Sequence, residues 1–469
     1  MAALARDPRG RSALSLAAAS PPLLLLAAML GAARATNPGC VPNCDGLTPP
    51  RGARSWNSVR EDINQSFVEA SIRGLAAPLG AGGSLLASGY SDYGLDDAWE
   101  NCGAGVNGSF HDADGFPMIN TTRFPDMSNL AATGAPLGVT VSWYMNCCGC
   151  SAGEHALSEP HYAQDAFTTA ALGFRGLKID GCGNEPNMTA WAAALVEARE
   201  AGVGQSVILE NCNDNTPFRP TRRPDGSIDC PFNFYRTSID GAPNFRSTIW
   251  NAYQTLPFLD VSFPGCFAYA DMLTIGSPAP SVTGGSFAAN CNGTRLSLAE
   301  ARAQLAAFSL LSSPLVLGFD VSNATERDLW APVVTHAPTL AINAAWDGEA
   351  GRLVANSSAL ASVAVAVGGA CELMQQYTMP LWLVVGKRLA HRASDGATTK
   401  FAAVLIVGDY AGAVSFEAPL AAMGFPAGAT VHSADGWSGA DMGDVTGAWS
   451  GAGVTAPAGD AYYRVFELA

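Results

Sequence analysis

The chain has 469 residues and a formal net charge of −15, and 48% of its residues are hydrophobic against 14% charged. This proportion of apolar residues is enough for a large folded core and excludes a disordered chain. An acidic chain without a basic run lacks the cationic contacts that nucleic acids and anionic membranes require, so neither is an expected partner.

Residues 1–35 have the pattern of a signal peptide. A basic start is followed by an apolar run from about Pro22 to Ala33, with small residues at Ala33 and Ala35. All 12 cysteines follow this segment, as suits a disulfide-bonded protein. The seven glycosylation sequons are at Asn64, Asn107, Asn120, Asn187, Asn292, Asn323 and Asn356. We therefore expect a glycoprotein that is secreted or delivered to a lysosomal or vacuolar lumen, without a membrane span.

In residues 36–346, short β-like runs alternate with Ala-rich helical stretches such as Thr189–Ala201 and Ser297–Leu311. The candidate strands are Arg54–Asn57, Ser84–Tyr90, Gly138–Tyr144, Gly176–Asp180, Ser206–Asn211, Phe234–Asp240, Phe258–Phe263 and Pro314–Phe319. Eight such units predict an α/β fold of the (β/α)8 TIM-barrel class. A doubly wound open sheet gives the same alternation and stays an alternative.

Residues 347–469 have a different pattern, in which strand-like segments are separated by turn residues. The segments are Leu381–Leu389, Lys400–Asp409, Ala429–His432 and Ala461–Leu468. Helical periodicity is almost absent, except near Ala418–Met423. This pattern predicts a C-terminal antiparallel β-sandwich domain after the barrel.

Polar side chains stand at the carboxyl ends of several predicted barrel strands, where barrel enzymes carry their reacting groups. Asp96 and Asp97 follow the second strand, and Lys178 and Asp180 end the fourth. The other strand-end groups are Tyr144, Asn146, Glu210, Asn211, Arg236 and Asp240. The set has no convergent histidine, and the chain has no P-loop, dinucleotide-binding or nucleophile-elbow motif. Carboxylates with flanking aromatics indicate glycoside hydrolysis without a metal or cofactor.

Five motifs occur in an order that carries a family resemblance. They are Leu47–Gly52 with Trp56 and Asn57, then Asp96–Trp99, Leu177–Cys182, Arg236 with Asp240, and Asp271–Leu273. Together they resemble glycoside hydrolase family 27, the α-galactosidase and α-N-acetylgalactosaminidase family. From about Leu47 to the C-terminus, the chain is identified as a divergent member of that family.

The resemblance implies a retaining mechanism, with Asp180 as the nucleophile and Asp240 as the acid/base. It also implies that the sugar is held by Trp56, Asp96, Asp97, Tyr144, Lys178, Asn213, Arg236 and Asp271. Such a pocket selects the axial 4-hydroxyl of a galactose-type ring. The expected partner is therefore a glycan with terminal α-galactose, and a homodimer is one option for the oligomeric state.

The same resemblance implies two disulfide bonds. Cys212 would pair with Cys230, and Cys182 would pair with one of the cysteines after strand three. Those candidates are Cys147, Cys148 and Cys150. Ala98 replaces a cysteine of the family, so Cys102 pairs differently or stays free.

Departures from the family pattern keep three functions open. Asn213 stands where α-galactosidases carry Glu and N-acetylgalactosaminidases carry Ser, so recognition at C2 of the sugar is undecided. The segment Gly265–Leu273 lacks several polar residues of the family. The alternatives are an α-N-acetylgalactosaminidase or β-L-arabinopyranosidase with the same mechanism, and a catalytically silent sugar-binding relative.

Overall fold

The computed structural model describes residues 45–146, 161–181, 187–212, 219–277, 295–367, 373–457 and 462–468. Several predictions concern residues outside these ranges. They are the signal peptide, the sequon at Asn292, the sugar contact of Asn213, and the pairing of Cys182 with Cys147, Cys148 or Cys150. No helix in the described ranges is long and apolar enough to span a membrane.

Eight parallel strands form one curled sheet. They are β1 Arg51–Arg54, β2 Asp92–Gly94, β3 Thr140–Asn146, β4 Gly176–Asp180, β5 Ile208–Cys212, β8 Phe234–Arg236, β9 Phe267–Tyr269 and β10 Leu315–Leu317. A small hairpin, β6 Thr221–Arg222 and β7 Ile228–Asp229, interrupts the series. The strand order is β10-β1-β2-β3-β4-β5-β8-β9, and a parallel bridge between Leu273 and Leu317 joins the two edges. The predicted (β/α)8 class is confirmed.

Helices follow the strands along the chain. They are α1 Trp56–Val59, α2 Gln65–Ala76, α3 Ser128–Gly134, α4 Tyr162–Ala171, α5 Met188–Glu200, α6 Phe245–Thr255, α7 Leu298–Leu310, α8 Ala324–Val334 and α9 Ala337–Ala344. Side-chain oxygens cap several of them: Asn64 begins α2, and Ser297 forms a capping box with Glu300 at α7. Outward-facing residues of the strands, such as Trp143 and Leu209, belong to the hydrophobic core that includes the helices.

Two of the predicted strands are wrong. The segment Ser84–Tyr90 contains a 3-10 turn at Leu86–Ser88 that ends at Gly89, whose φ is 93°. The strand comes two residues after the predicted run, at β2. The segment Phe258–Phe263 overlaps a 3-10 helix at Leu256–Val261, where Pro257 has no N–H to donate to a sheet.

Two further strand boundaries differ from the prediction. The first strand ends at Arg54, so Trp56 lies in the short helix α1 instead of on the strand. The sixth barrel strand ends at Arg236, so Asp240 lies in the segment that follows, just after a bend. Both differences place the predicted site residues on the segments that leave the barrel.

The C-terminal part is strand-rich and antiparallel, as predicted. A sheet of order β11-β14-β15-β20-β17-β18 is accompanied by the pairs β12–β13 and β16–β19. These strands are β11 Arg352–Asn356, β12 Leu360–Val367, β13 Leu373–Pro380, β14 Trp382–His391, β15 Thr398–Val407, β16 Val414–Pro419, β17 Thr430–Asp435, β18 Asp441–Thr446, β19 Ala448–Val454 and β20 Tyr463–Leu468. A 3-10 turn at Leu420–Met423 is all that the predicted helical stretch forms. Phe401, Phe416 and Trp449 share a hydrophobic core between the layers.

A buried lysine connects the barrel to the antiparallel sheet. Lys387 on β14 is 0% exposed, and its Nζ donates to the carbonyl oxygens of Ile342 at 2.9 Å and Asn343 at 3.1 Å. These carbonyls end helix α9, where a cation is favourable. Burial nevertheless lowers the pKa of Lys387 to about 7. The two parts belong to one compact unit, and the predicted boundary at residues 346/347 stays a prediction.

Candidate active site

Alternate residues of the barrel strands face the lumen, since side chains along a strand alternate between its faces. On β4 these residues are Lys178 and Asp180, and the register pairs Tyr144 with Lys178 and Lys178 with Glu210. Cys212 is the partner of Asp180 in the same register. The alternation therefore brings polar residues from three adjacent strands to the carboxyl end of the lumen.

One cluster is centred on the ammonium group of Lys178. Its Nζ donates to Asp96 Oδ2 at 2.8 Å and lies 4.0 Å from Asp180 Oδ2 and 5.1 Å from the centroid of the Tyr144 ring. Burial is the largest single influence and opposes the positive charge, but Asp96, Cys212 and Asp180 together outweigh burial and raise the pKa of Lys178 well above its usual value. Lys178 is therefore a fixed cation between two carboxylates.

The carboxylate of Asp180 is held by two further donors. The hydroxyl of Tyr144 donates to Asp180 Oδ2 at 2.9 Å, and the backbone N–H of Gly181 donates to Oδ1 at 3.0 Å. Trp99 supports this arrangement, because its Nε1 donates to the carbonyl oxygen of Tyr144 at 2.9 Å. The carboxylate is thus fixed in one orientation at the end of β4.

The turn after β2 is built from its own carboxylates. The backbone N–H of Asp96 donates to Ser55 Oγ at 2.9 Å, and that of Asp97 donates to Asp96 Oδ1 at 3.1 Å. Asp97 Oδ1 accepts from the N–H of Ala98 at 2.7 Å, and Ala98 has a φ of 74°. Asp96 and Asp97 are 1% and 4% exposed, so most of each side chain is committed to the turn and to Lys178.

A second cluster is centred on the guanidinium group of Arg236. Its Nη2 lies 2.9 Å from Asp240 Oδ1, and its Nη1 lies 3.1 Å from Asp271 Oδ1. Nη1 also lies 3.3 Å from the Sγ of Cys212. Asp271 has a φ of 88°, and its Oδ2 accepts from the N–H of Gly241 at 2.5 Å. Arg236 therefore connects the end of β5 to the segments after β8 and β9.

The two carboxylates of this cluster have pKa values displaced in opposite directions. Burial acts to raise the pKa of Asp240, but Arg236 and Lys178 outweigh burial and lower it. For Asp271, burial and the nearby charge of Asp240 prevail over Arg236 and raise the pKa to about 7. The influence of Lys178 on Asp240 also shows that the two clusters share one electrostatic environment.

Exposure separates the predicted catalytic carboxylates from the others. The side chains of Asp180 and Asp240 are 33% and 44% exposed. Those of Asp96 and Asp271 are only 2% exposed, although Asp96 contacts the same lysine as Asp180 and Asp271 contacts the same arginine as Asp240. Asp180 and Asp240 are thus the most accessible carboxylates of the two clusters.

Trp56 lies beside this site in the short helix α1. Its ring is half-buried and packs against a cluster of inward-facing apolar residues, which we call the lumen cluster. The buried members of the lumen cluster are Phe234, Phe267, Tyr269, Met272 and Val316. The guanidinium of Arg60 lies 5.2 Å from the centroid of the Trp56 ring. Every predicted sugar-binding residue within the described ranges therefore lies at the carboxyl end of the barrel.

Known proteins resemble the chain in sequence. The α-galactosidase A of Cellvibrio japonicus is 25% identical over 310 residues, which cover 63% of this chain and 67% of that protein. The α-galactosidase of Cyamopsis tetragonoloba is 25% identical over 328 residues, or 67% of this chain and 69% of that protein. No family model matches the chain.

Solved structures resemble the chain over most of its length. The α-galactosidase I of Mortierella vinacea gives a TM-score of 0.63 at 17% identity, covering 90% of this chain and 97% of that one. A family 27 β-L-arabinopyranosidase from Geobacillus stearothermophilus gives a TM-score of 0.61 at 15% identity, covering 90% and 96%. These similarities in sequence and fold support a divergent member of glycoside hydrolase family 27.

The predicted disulfide bond between Cys212 and Cys230 is wrong. Cys230 is bonded to Cys266, with a Cα–Cα distance of 6.4 Å, and Cys212 is a buried free thiol. Cys230 and Cys266 precede the adjacent strands β8 and β9, whereas Cys212 ends β5 at the opposite end of the barrel. Cys102 is disulfide-bonded, which decides the alternative that the sequence left open.

Two buried carboxylates of the barrel were not assigned a role from the sequence. Glu210 on β5 forms an ion pair with Arg54 across the lumen at 2.6 Å, and both side chains are buried. Glu100 is 4% exposed, and burial together with Asp97 raises its pKa well above the usual value. The position of Glu210 opposite Lys178 on adjacent strands could have predicted that Glu210 faces the lumen. Nothing in the sequence around Glu100 indicated its burial. Among the described residues, no group of three His, Cys, Asp or Glu residues could hold a metal ion.

Proposed function

We propose that the chain is a retaining exo-glycoside hydrolase that removes terminal α-linked galactose from oligosaccharides or glycoconjugates. The observation that carries the proposal is the pair of solvent-accessible carboxylates, Asp180 and Asp240, each held against a buried cation. A retaining hydrolase requires two such carboxyl groups, one to attack and one to transfer the proton. The α-galactosidase relatives support galactose as the sugar.

In the first step, Asp180 attacks the anomeric carbon as the bond to the leaving oxygen breaks, and Asp240 donates its proton to that oxygen. A covalent glycosyl-enzyme results. Tyr144 and Gly181 fix the attacking carboxylate, so little reorganisation is needed before attack. Lys178 adds positive charge beside Asp180 and is itself positioned by Asp96.

In the second step, Asp240 removes a proton from a water molecule, which attacks the anomeric carbon and releases Asp180. Esterification of Asp180 removes a negative charge from the site, which favours the ionised form of Asp240. The ion pair with Arg236 favours it as well, and lowers the pKa of Asp240. The resting structure thus favours the ionised Asp240 that the base step needs. The acid step needs protonated Asp240, which requires an acidic medium.

The sugar ring is held by Trp56 and Tyr144 as walls, and Lys178, Asp96, Asp97 and Asn213 are the groups that meet its hydroxyls. Arg236 and Asp271 hold Asp240 in place. An acidic lumen or the extracellular space suits this chemistry, so we retain secretion or lysosomal delivery as part of the proposal. N-terminal sequencing of the exported protein tests the signal peptide, with Thr36 as the expected first residue.

Activity on three nitrophenyl glycosides tests the function: the α-galactoside, the α-N-acetylgalactosaminide and the β-L-arabinopyranoside. We expect turnover of the α-galactoside to be fastest, and to fall by several orders of magnitude in Asp180→Ala. Asp114→Ala, at an exposed aspartate, is the matched control. Preference for another glycoside would reassign the substrate, and sugar binding without any turnover would identify a silent relative.

A further inference from the structure

A cavity opens at the amino ends of the barrel strands, opposite to Asp180 and Asp240. It measures about 450 Å³ and is bordered by the starts of several barrel strands and the loops before them. We call it the amino-end cavity. Barrel interiors are ordinarily filled by layers of side chains, so a hollow of this size requires an explanation from the sequence.

The explanation lies in the inward-facing residues of the first four strands. The inward-facing residues Phe234, Phe267 and Val316 of β8, β9 and β10 belong to the bulky lumen cluster. Those at the same level on the first four strands are small or polar: Gly52, Asp92, Gly94, Thr140, Ser142 and Gly176. A Cβ atom on Gly94 would lie 3.1 Å from the guanidinium carbon of Arg54. Glycine therefore makes room for Arg54, and one side of the lumen stays open.

Buried polar atoms on the cavity wall have no partner among the described residues. Arg54 is 4% exposed, and its Nη2 is paired with Glu210 at 2.6 Å. Its Nε and Nη1 have no hydrogen-bond acceptor in the described protein, and the Oγ of Ser206 is likewise unsatisfied. All three residues line the amino-end cavity. Because buried polar groups are nearly always hydrogen-bonded, these atoms favour a polar ligand in the cavity.

The mixture of groups on the wall indicates the chemistry of that molecule. Arg54 offers donors, while Glu210 and Asp92 offer carboxylate oxygens. Asp92 already accepts from Ser142 Oγ at 2.7 Å, and further hydroxyls line the wall. Glu210 and Asp92 would repel an anion, and the guanidinium group of Arg54 would repel a cation. A neutral polyhydroxylated molecule supplies both acceptors and donors, and the volume lies within the range of small-molecule sites.

We propose that the amino-end cavity binds a neutral monosaccharide or another small polyol, as a site separate from the catalytic pocket. The inference does not depend on the proposed hydrolase activity, because none of its residues is among those assigned to catalysis. Ligand bound here would complete the hydrogen bonds of Arg54 and Ser206.

Titration calorimetry with myo-inositol tests the proposal on the full chain. Ser206→Phe places a ring in the cavity without touching the ion pair, and Ser128→Phe adds the same group at an exposed position. We expect Ser206→Phe to weaken myo-inositol binding at least tenfold and to leave glycoside turnover unchanged. We expect Ser128→Phe to change neither quantity.

A second variant covers the case in which Ser206→Phe does not fold. The double replacement of Arg54 and Glu210 by Met removes the buried pair as a unit and leaves no unpaired charge, so it has a better prospect of folding than either single replacement. We expect it to abolish myo-inositol binding. Equal affinity for myo-inositol in this variant and the wild type, or no heat with myo-inositol at millimolar concentration, would overturn the proposal whatever the turnover shows.

Discussion

The Nη2 of Arg236 lies 2.9 Å from the Oδ1 of Asp240, and the other terminal nitrogen of the same guanidinium contacts the buried Asp271. One cation therefore serves a solvent-accessible carboxylate and a buried one. Because the accessible carboxylate is the proposed acid/base, this contact controls the pH at which it carries a proton.

Replacing Arg236 with Gln removes the charge that lowers the pKa of Asp240. We expect the alkaline limb of the kcat/KM profile to move to higher pH, while the maximum falls. The control is Arg246→Gln, at an exposed ion pair with Asp409. An alkaline limb that stays in place in Arg236→Gln would show that Asp240 is not the group that titrates there.

Asp271 makes the fold more stable in acid. Its native pKa of about 7 lies above the usual 3.8, so the folded chain binds more protons between these values. The resulting stabilisation is complete below about pH 3.8 and is lost as the pH rises through 7. We expect Asp271→Asn to show a flatter dependence of Tm on pH between these limits than the wild type. Asp114→Asn is the control and should keep the slope of the wild type. The same slope in Asp271→Asn and the wild type would contradict the raised pKa of Asp271.

Lys387 has the opposite effect on the pH dependence of stability. Its native pKa of about 7 lies below the usual 10.5, so the unfolded chain binds more protons between these values and stability rises with pH there. We expect Lys387→Met to lose this rise in chemical denaturation measured from pH 6 to 9, whereas Lys400→Met, at an exposed ion pair with Glu467, keeps it. A rise that persists in Lys387→Met would show that this lysine is charged in the fold at neutral pH.

The cysteines of the barrel have different importance for stability. Replacing both Cys230 and Cys266 with Ser removes a disulfide bond that spans 36 residues, and we expect a loss of about 2–5 kcal/mol in the free energy of unfolding. Cys212→Ser keeps a polar atom near Arg236, so we expect nearly unchanged stability and turnover. A larger loss of stability in Cys212→Ser than in the double variant would contradict the observed pairing.

Sequence order and strand periodicity predicted the barrel and brought Lys178, Asp180, Arg236 and Asp240 to one end of it. They predicted local structure wrongly in two places. A 3-10 helix that contains Pro257 replaces a predicted strand, and Asp240 lies beyond the end of its strand, although it still contacts Arg236.

The disulfide bond was predicted wrongly because the family resemblance gave a pairing that ignored strand ends. Cys212 and Cys230 lie at opposite ends of the barrel, which only the positions of β5 and β8 reveal. The ion pair of Arg54 with Glu210 was missed because its partners are 156 positions apart in the numbering and meet only across the closed lumen.

Trapping the covalent intermediate tests the central claim most directly. Incubation with 5-fluoro-galactosyl fluoride, followed by proteolysis and mass spectrometry, locates the labelled residue. We predict a glycosyl adduct on Asp180, formed in the wild type and absent in Asp180→Ala. A stable adduct on any other carboxylate, or steady turnover of the α-galactoside in Asp180→Ala, would contradict the account.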